Sequence, residues 1–390
     1  MPGSVQKRSK KSWTVVIDLE RDPKTGRRRQ LRRSIKGTKK EAEALLVQLL
    51  HERDIGIDQP PNKLTLAEYL TRWLEDYAYP NTAPKTYQRY AQIIKNNIIP
   101  ALGGIMLASL RPQHIQRYYS HALKDGRIDR RKGGLSARTV LHHHRVLNEA
   151  LRHAVRWQLM VRNPAEAVEP PRPIRSEMQV LSPESINTLL ASCKDHNLYA
   201  IIYLAVATGL RQGELLGLRW DAIDLDSSSL SVTRTLQYIS GLGLIFREPK
   251  TAGSRRKVSL SDETVRMLRE HRKHQIETRL SLGPAYNDQN LVFANALGNP
   301  IPPYIVSEKF NILIKRIGLS PLRFHDLRHT SATLLLRAGV HPKIVSERLG
   351  HSGVAITLDT YSHVLPDLQS EAANLMDKLL VIPQRVTERL

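Results

Sequence analysis

FHDLRHTSATLLL, residues 324–336, sets His325 and Arg328 three positions apart, with Phe324, Leu327, Leu334 and Leu335 on an apolar side. On a helix this spacing projects both polar side chains from one face while the apolar residues enter a core. The stretch therefore reads as a half-buried helix that presents a histidine and a guanidinium together. Upstream, TGLRQGEL (208–215) repeats the spacing with Arg211 and Glu214, so that a carboxylate can orient a neighbouring cation. EPKTAGSRRKV (248–258) supplies Lys250, LGHS (349–352) supplies His351, and ten residues further DTYSH (359–363) supplies Tyr361.

The set comprises cations and one phenol, with no cluster of carboxylates or thiols to hold a metal. Cys193 is the only cysteine, so no intramolecular disulfide and no thiolate zinc site is expected. Guanidinium groups are planar forks that bind two phosphate oxygens at once. Two of them can hold the nonbridging oxygens of a phosphodiester and stabilise the added charge of a pentavalent transition state. A tyrosine hydroxyl can attack phosphorus to form a covalent ester. The departing sugar oxygen then needs a proton, and Lys250 on a mobile hairpin turn is placed to supply it. His325 and His351 are expected to donate hydrogen bonds to the phosphate or to handle the tyrosine proton. Singly, each of these residues is common in ordinary folds; their ordered coincidence carries the reading.

The formal charge of +22 on 390 residues favours a polyanionic partner. Nucleic acid is expected rather than membrane, because no apolar run approaches the roughly 20 residues of a spanning helix. The richest, IIYLAVATGL (201–210), is too short, and no signal peptide is read at the start. A reduced cytoplasm fits.

Three segments emerge along the chain. Residues 1–40 carry 14 Lys and Arg against Asp18, Glu20 and Asp22, a net of +11. Trp13, Val15, Ile17 and Leu19 alternate as a strand, residues 22–26 turn, and Arg29, Leu31, Arg33 and Ile35 return. Thr38 and Glu41 predict a capping box for a helix over 39–53. The small basic sheet suits a major groove, with Arg27, Arg28, Arg29, Arg32 and Arg33 as candidate contacts. After Pro60-Pro61 the pattern turns helical, and a long helix is expected from Ser136 to the Asn163-Pro164 break. Lys85, Arg89, Lys95, Arg138, Arg145 and Arg152 lie on the polar faces of this helical segment as expected phosphate contacts. His142, His143 and His144 diverge by about 100° per position, cannot share one ion, and are expected at the surface or on phosphates. A proline-rich linker (Pro164, Pro170, Pro171, Pro173) leads to a last, mostly helical segment with a strand-rich patch around Leu230–Leu260. It ends in a helix, 366–380, with Leu368, Ala372, Leu375 and Leu379 on one face.

Gly209-Leu-Arg211-x-Gly-Glu214-Leu, His325-x-x-Arg328-His329 and Leu349-Gly-His351 followed by Tyr361 resemble the motifs of the tyrosine recombinase (phage integrase) family, and the resemblance covers essentially the whole chain. It implies a multidomain, mainly α fold with small β parts. The expected domains are a three-stranded sheet plus helix binding arm-type DNA (1–55), a helical SAM-like core-binding domain (64–165) and a mixed, mostly helical catalytic domain (175–390). Arg211, Lys250, His325, Arg328 and His351 are then expected as the catalytic shell, Glu214 as its supporting acid and Tyr361 as the nucleophile. Lys257 lies near Lys250, but Pro249-Lys250-Thr251 with Ser254-x-Arg256-x-Val258 is the better match to the family hairpin. The resemblance implies a 3′-phosphotyrosyl intermediate, strand exchange by four subunits through a four-way junction, and no metal, ATP or other cofactor. The expected partners are double-stranded DNA with core-type and arm-type sites, three further copies of the chain, and an accessory DNA-bending or excision protein. Integration and excision of a mobile element in a bacterial host is the leading expectation. A chromosome-dimer-resolving recombinase, a type IB topoisomerase and a non-catalytic DNA-binding regulator are the alternatives.

Overall fold

The computed structural model describes residues 3–9, 12–19, 29–54, 64–129, 131–174, 178–249, 255–319, 321–361 and 368–380. They fall into two compact units, Met1–Arg175 and Ser176–Leu390.

Near the N-terminus, β1 (Gly3–Ser9), β2 (Ser12–Leu19) and β3 (Arg29–Lys36) form an antiparallel sheet in that order, followed by α1 (Lys39–Asp54). The alternation at Val15 and Ile17 is realised as full burial, in one cluster with Ala42 and Leu49 of α1. The expected capping box is present: the Thr38 N–H donates to Glu41 Oε2 at 2.7 Å, and the Glu41 N–H donates to Thr38 Oγ1 at 3.4 Å. β1, which has no apolar alternation of its own, adds the third strand by pairing Val5 opposite Val15. The turn expected at 22–26 lies outside the described residues.

The helical part of the first unit opens with α2 (Leu66–Trp73), capped reciprocally by Thr65 and Glu68. α2 runs through a π-turn (Leu74–Ala78) into α3 (Tyr79–Asn81), and α4 (Pro84–Ile93) runs through a second (Ile94–Ile98) into α5 (Ile99–Leu102). Each wide turn comes just before a proline, Pro80 or Pro100. Proline lacks an N–H and its ring collides with the carbonyl four residues back. The ladder shifts to five-residue bonds at these places, from the Tyr79 N–H to the Leu74 carbonyl and from the Ile99 N–H to the Ile94 carbonyl. The helices therefore continue where a proline would otherwise end them.

α6 (Pro112–Asp125) and α7 (Ala137–Arg156) complete the bundle. Trp73 is fully buried at its centre and donates from Nε1 to His153 Nδ1 at 3.0 Å. Two expectations are corrected here. α7 ends at Arg156 rather than at Asn163-Pro164, with Gln158 in the left-handed region at φ 58°. Asn163 instead caps a short 3-10 turn, its Oδ1 accepting from the Ala165 N–H at 2.9 Å. The histidine tract is also largely internal: His143 is buried and shares a hydrogen bond with Tyr118 Oη (2.8 Å), and half-buried His144 does so with Tyr119 Oη (2.9 Å). Burial takes His143 down to about 4, so it serves as a neutral partner for a buried phenol.

The second unit begins with α8 (Pro183–Ser192), where Ser182 Oγ accepts from the Ser185 N–H at 3.2 Å. α9 (Tyr199–Thr208) is apolar around most of its circumference and forms part of the unit's large core, which accounts for the run IIYLAVATGL. α10 (Gln212–Gly217) follows. The strand-rich patch resolves into β4 (Ile223–Asp224), β5 (Ser229–Val232), β6 (Thr235–Ile239), β7 (Gly243–Arg247) and β8 (Arg256–Ser259). β6 and β7 form a hairpin, whereas β8 pairs with β5, in the order β4-β5-β8. Lys250 lies outside the described residues. The ends of its segment are joined by an ion pair between Glu248 and Arg255. α11 (Asp262–Leu282), α12 (Pro303–Arg316), α13 (Asp326–Arg337), α14 (Pro342–Leu349), α15 (Val354–Tyr361) and α16 (Leu368–Leu379) complete the unit. Leu375, Met376 and Leu379 on α16 are exposed. Among the described residues no helix is long and apolar enough to cross a membrane.

Because Trp73 fills the centre of the helical bundle, Trp73→Ala is expected to destabilise that bundle by about 3–5 kcal/mol. Hydrogen exchange checks this: amides of α7 should lose protection while those of α9 and α13 keep theirs.

Candidate active site

Two helices end in glycines at positive φ, and each presents its carbonyl to an arginine. Gly209 (φ 67°) follows α9, and its carbonyl accepts from Arg328 Nη1 at 2.8 Å. Gly350 (φ 68°) follows α14, and its carbonyl accepts from Arg211 Nη2 at 3.3 Å. A β-carbon would stand 2.6 Å from Leu349 Cδ2 at Gly209 and 2.7 Å from Arg256 Nη1 at Gly350, so both positions require glycine for space as well as conformation.

Arg211 precedes α10. Its N–H donates to Glu214 Oε2 at 2.9 Å and its Nη1 to Oε1 at 2.8 Å. The Glu214 carboxylate, 5% exposed, also receives Arg256 of β8, from Nη2 to Oε2 at 2.8 Å and from Nη1 to Oε1 at 3.3 Å. Arg256 Nε donates in addition to the Arg348 carbonyl at 2.7 Å. Burial opposes ionisation of Glu214, but hydrogen bonding and charge from Arg256, with Arg211 adding, outweigh it and hold the carboxyl below its ordinary range.

Arg328, in the first turn of α13, is 3% exposed, and its Nη2 is buried with no acceptor. Burial first, and the Arg211 charge second, bring it down to about 9. His325 precedes α13 and stands exposed at the rim. Partial desolvation, then His329 and Arg328, lower its pKa. His351 shares a hydrogen bond from Nδ1 with Oγ1 of fully buried Thr357 at 2.8 Å, and burial with the Arg328 charge takes it to about 4. Tyr361 ends α15 at 1% exposure and is pushed up to about 12 by burial, against the pull of Arg328 and Arg211. Its hydroxyl shares a 2.8 Å hydrogen bond with His329 Nδ1.

Arg211, His325, Arg328, His329, His351 and Tyr361 line one cavity of about 380 Å³. The structure thus brings together five of the seven residues expected at the site, and Glu214 stands directly behind Arg211. Three residues to which the sequence reading gave no role also hold the site together: His329, Arg256 and Thr357. For His329 a signal existed, since it lies four residues after His325 and so shares its helical face. Arg256 appears in the hairpin match without a role of its own, and nothing local marks Thr357, because their partners lie on other elements or across a turn.

The expected DNA contacts separate by position. Arg27 and Arg28 lie outside the described residues, as does the side chain of Arg29. Arg33 is paired opposite Val15 and Arg32 opposite Val16, so these two exposed arginines stand on opposite faces of the sheet. Lys85, Arg89, Lys95, Arg138, Arg145 and Arg152 are all exposed. Arg89 of α4 and Arg138 and Arg145 of α7 converge on His142, whose pKa is lowered by burial and then by these three charges. Arg152 is paired with Glu149 at 2.6 Å.

The cationic cavity has a tyrosine hydroxyl at its wall, an arrangement able to hold a phosphodiester beside a phenol. The family model described as "Phage integrase family" matches residues 179–367, and "Phage integrase, N-terminal SAM-like domain" matches residues 65–123. The "Tyrosine recombinase XerC-like" protein of Caldanaerobacter subterraneus subsp. tengcongensis is 31% identical, over 96% of this chain and 98% of its own. The ICEBs1 integrase of Bacillus subtilis is 28% identical, over 97% of this chain and 100% of its own. The Tn1549 transposon integrase, solved in complex with a circular intermediate DNA, shares the fold with a TM-score of 0.68 at 21% identity, covering 81% of this chain and 99% of that one. The chain belongs to the phage integrase family of tyrosine recombinases, enzymes that cut and rejoin DNA.

Glu214→Ala leaves Arg256 buried without its carboxylate and is expected to destabilise the second unit by about 3–5 kcal/mol, with Glu214→Gln in between. Because folding lowers the Glu214 pKa, its contribution is fully present above the unfolded value near ~4.3 and is lost as pH falls through the folded value. In thermal unfolding from neutral to acid pH, wild type should therefore lose stability more steeply than Glu214→Gln, and the two should converge at the acid end.

Proposed function

We propose that this chain is the integrase of a mobile element, acting through Tyr361 on a scissile phosphodiester held by Arg211 and Arg328. The observation that carries the reading is the single cavity where both guanidinium groups, His325, His351 and the Tyr361 hydroxyl meet. Arg211 and Arg328 neutralise the nonbridging oxygens, and the added charge of the pentavalent transition state strengthens both contacts. His351, its Nδ1 engaged by Thr357, directs its other ring nitrogen to the phosphate. Tyr361 Oη bonds to phosphorus as the bond to the 5′ oxygen breaks, leaving a 3′-phosphotyrosyl link and a free 5′-hydroxyl. Lys250 gives the proton that the 5′ oxygen takes up. The ester conserves the bond energy, so the 5′-hydroxyl of a partner duplex can attack it without ATP, metal or other cofactor.

The division of labour follows the chain: 1–55 for arm-type DNA, 64–165 for the core site, 175–390 for chemistry. The sheet with its +11 segment supports the first assignment, and the cluster of Arg89, Arg138 and Arg145 supports the second. The exposed apolar residues of α16 support a homotetramer in which this helix docks on a neighbouring subunit. The reaction is placed on the nucleoid in the cytoplasm of a bacterial host, with an accessory DNA-bending or excision protein as a further partner.

Incubation with a nicked suicide duplex is expected to give a gel-stable protein–DNA adduct with wild type and none with Tyr361→Phe, and EDTA should leave the yield unchanged. An adduct formed by Tyr361→Phe would remove Tyr361 from its role. Deletion of residues 1–55 is expected to spare cleavage of a short core site while abolishing binding to separate arm-type sites in a mobility-shift assay. Affinity of the intact chain should fall steeply with salt, as counterion release requires.

A further inference from the structure

Tyr361 needs a proton acceptor: burial takes its hydroxyl up to about 12, so the phenolate is scarce at neutral pH. The histidines singled out by motif are poorly placed for this. His351 has its Nδ1 committed to Thr357. His325 stands beyond His329, its ring edge-on to that of His329 at 5.0 Å between centroids. Among the described residues, the group hydrogen-bonded to the Tyr361 hydroxyl is His329, through Nδ1 at 2.8 Å.

We infer that His329, rather than His325, is the catalytic proton acceptor for Tyr361, a role that rests on the reading of Tyr361 as the nucleophile. In the cleavage step the neutral imidazole, protonated on Nε2, takes the Oη proton at Nδ1 while the Oη–phosphorus bond forms. The bond from phosphorus to the 5′ oxygen breaks, and that oxygen takes its proton from the general acid proposed above. In rejoining, the 5′-hydroxyl attacks, the phenolate leaves, and the His329 imidazolium returns the proton to it.

The surroundings favour this role. Three cations act on His329 or stand near it: Arg328 and Arg323 lower its pKa, and Arg211 lines the same cavity. His325 lies against it from the start of α13, His351 lines the cavity from the α14–α15 turn, and Tyr361 faces it from α15. Among the described residues, Asp326 opposes the cations, and its carboxylate is engaged by Arg323 through Nη2 at 2.7 Å and Nε at 3.1 Å. Burial first, and then these charges, lower the His329 pKa and so favour the neutral ring that accepts a proton. A bound phosphodiester adds negative charge beside it and makes an imidazolium easier to form as the transition state develops.

Single-turnover cleavage of the nicked suicide duplex tests the assignment, with Arg211 and Arg328 untouched. His329→Asn retains a hydrogen-bonding group near the phenol but no basic nitrogen, and His329→Gln is the second variant. Both are expected to bind the duplex like wild type and to cleave it about a hundredfold or more slowly at neutral pH. The gap should narrow as pH rises and hydroxide replaces the imidazole. A duplex with sulfur in place of the bridging 5′ oxygen removes the need for a general acid, so it should rescue Lys250→Ala and leave both His329 variants slow. Wild-type rates in the His329 variants, a pH-independent defect, or rescue by the sulfur substrate would each overturn the inference. Tyr361→Phe run alongside keeps this separate from the nucleophile: an adduct there overturns the Tyr361 reading itself.

Discussion

The carboxylate of Glu214, buried between the guanidinium groups of Arg211 and Arg256, is the contact on which the geometry of the site depends. Removing a carboxylate from water is unfavourable unless its lone pairs are satisfied, and here both oxygens take charged donors while one also takes the Arg211 N–H. Through Arg211 it fixes the start of α10. Through Arg256 it ties in β8, and the Arg256 Nε extends the tie to the Arg348 carbonyl at the end of α14. Two elements far apart in sequence thereby meet at one carboxylate, and a third is joined to it through Arg256.

Charge balance follows from that arrangement. Arg211, Arg256, Arg328 and Arg348 crowd together, yet Glu214 is the carboxylate that pairs with the first two. Arg328 and Arg348 rely on backbone oxygens, those of Gly209 for Arg328 and of Ser259 and Ala207 for Arg348. Carbonyl dipoles orient a guanidinium without cancelling its charge. The region stays electropositive; burial first, and these charges second, keep His351 neutral and lower the Arg328 pKa. A second acidic residue in place of a carbonyl would neutralise the charge that an incoming phosphodiester has to meet.

What was legible in the sequence divides along the same physical line. Features set by neighbours in the chain read correctly: the alternation of Val15 and Ile17, the Thr38–Glu41 capping box, and the three-residue spacing of Arg211 with Glu214. Features set by distant partners did not. β1 forms because β2 offers it an edge, and β8 pairs with β5 across the intervening hairpin rather than with its predecessor β7. His143 and His144 face inward because Tyr118 and Tyr119 wait there, a fact absent from the run of three histidines. The π-turns at Leu74–Ala78 and Ile94–Ile98 were a local consequence of Pro80 and Pro100, and proline alone predicts a break, not a widened turn. At the site, motif spacing located the charged residues but not which imidazole meets the phenol, since that depends on how α13 and α15 approach.

The unpaired Nη2 of Arg328 shows how stability and catalysis share the same atoms. A buried guanidinium beside a second one is unfavourable, and burial first, with the Arg211 charge second, lowers the Arg328 pKa. On the reading proposed above, a bound phosphodiester brings one negative charge and partly relieves it. The pentavalent transition state brings a second and relieves it further, so the interaction is stronger where it accelerates the reaction. A partner carboxylate on Arg328 would make the folded chain more stable and would spend that difference before the DNA arrived. On the same reading, the Gly209 carbonyl orients Arg328 and Glu214 orients Arg211, so that both guanidinium groups are held in place before DNA binds.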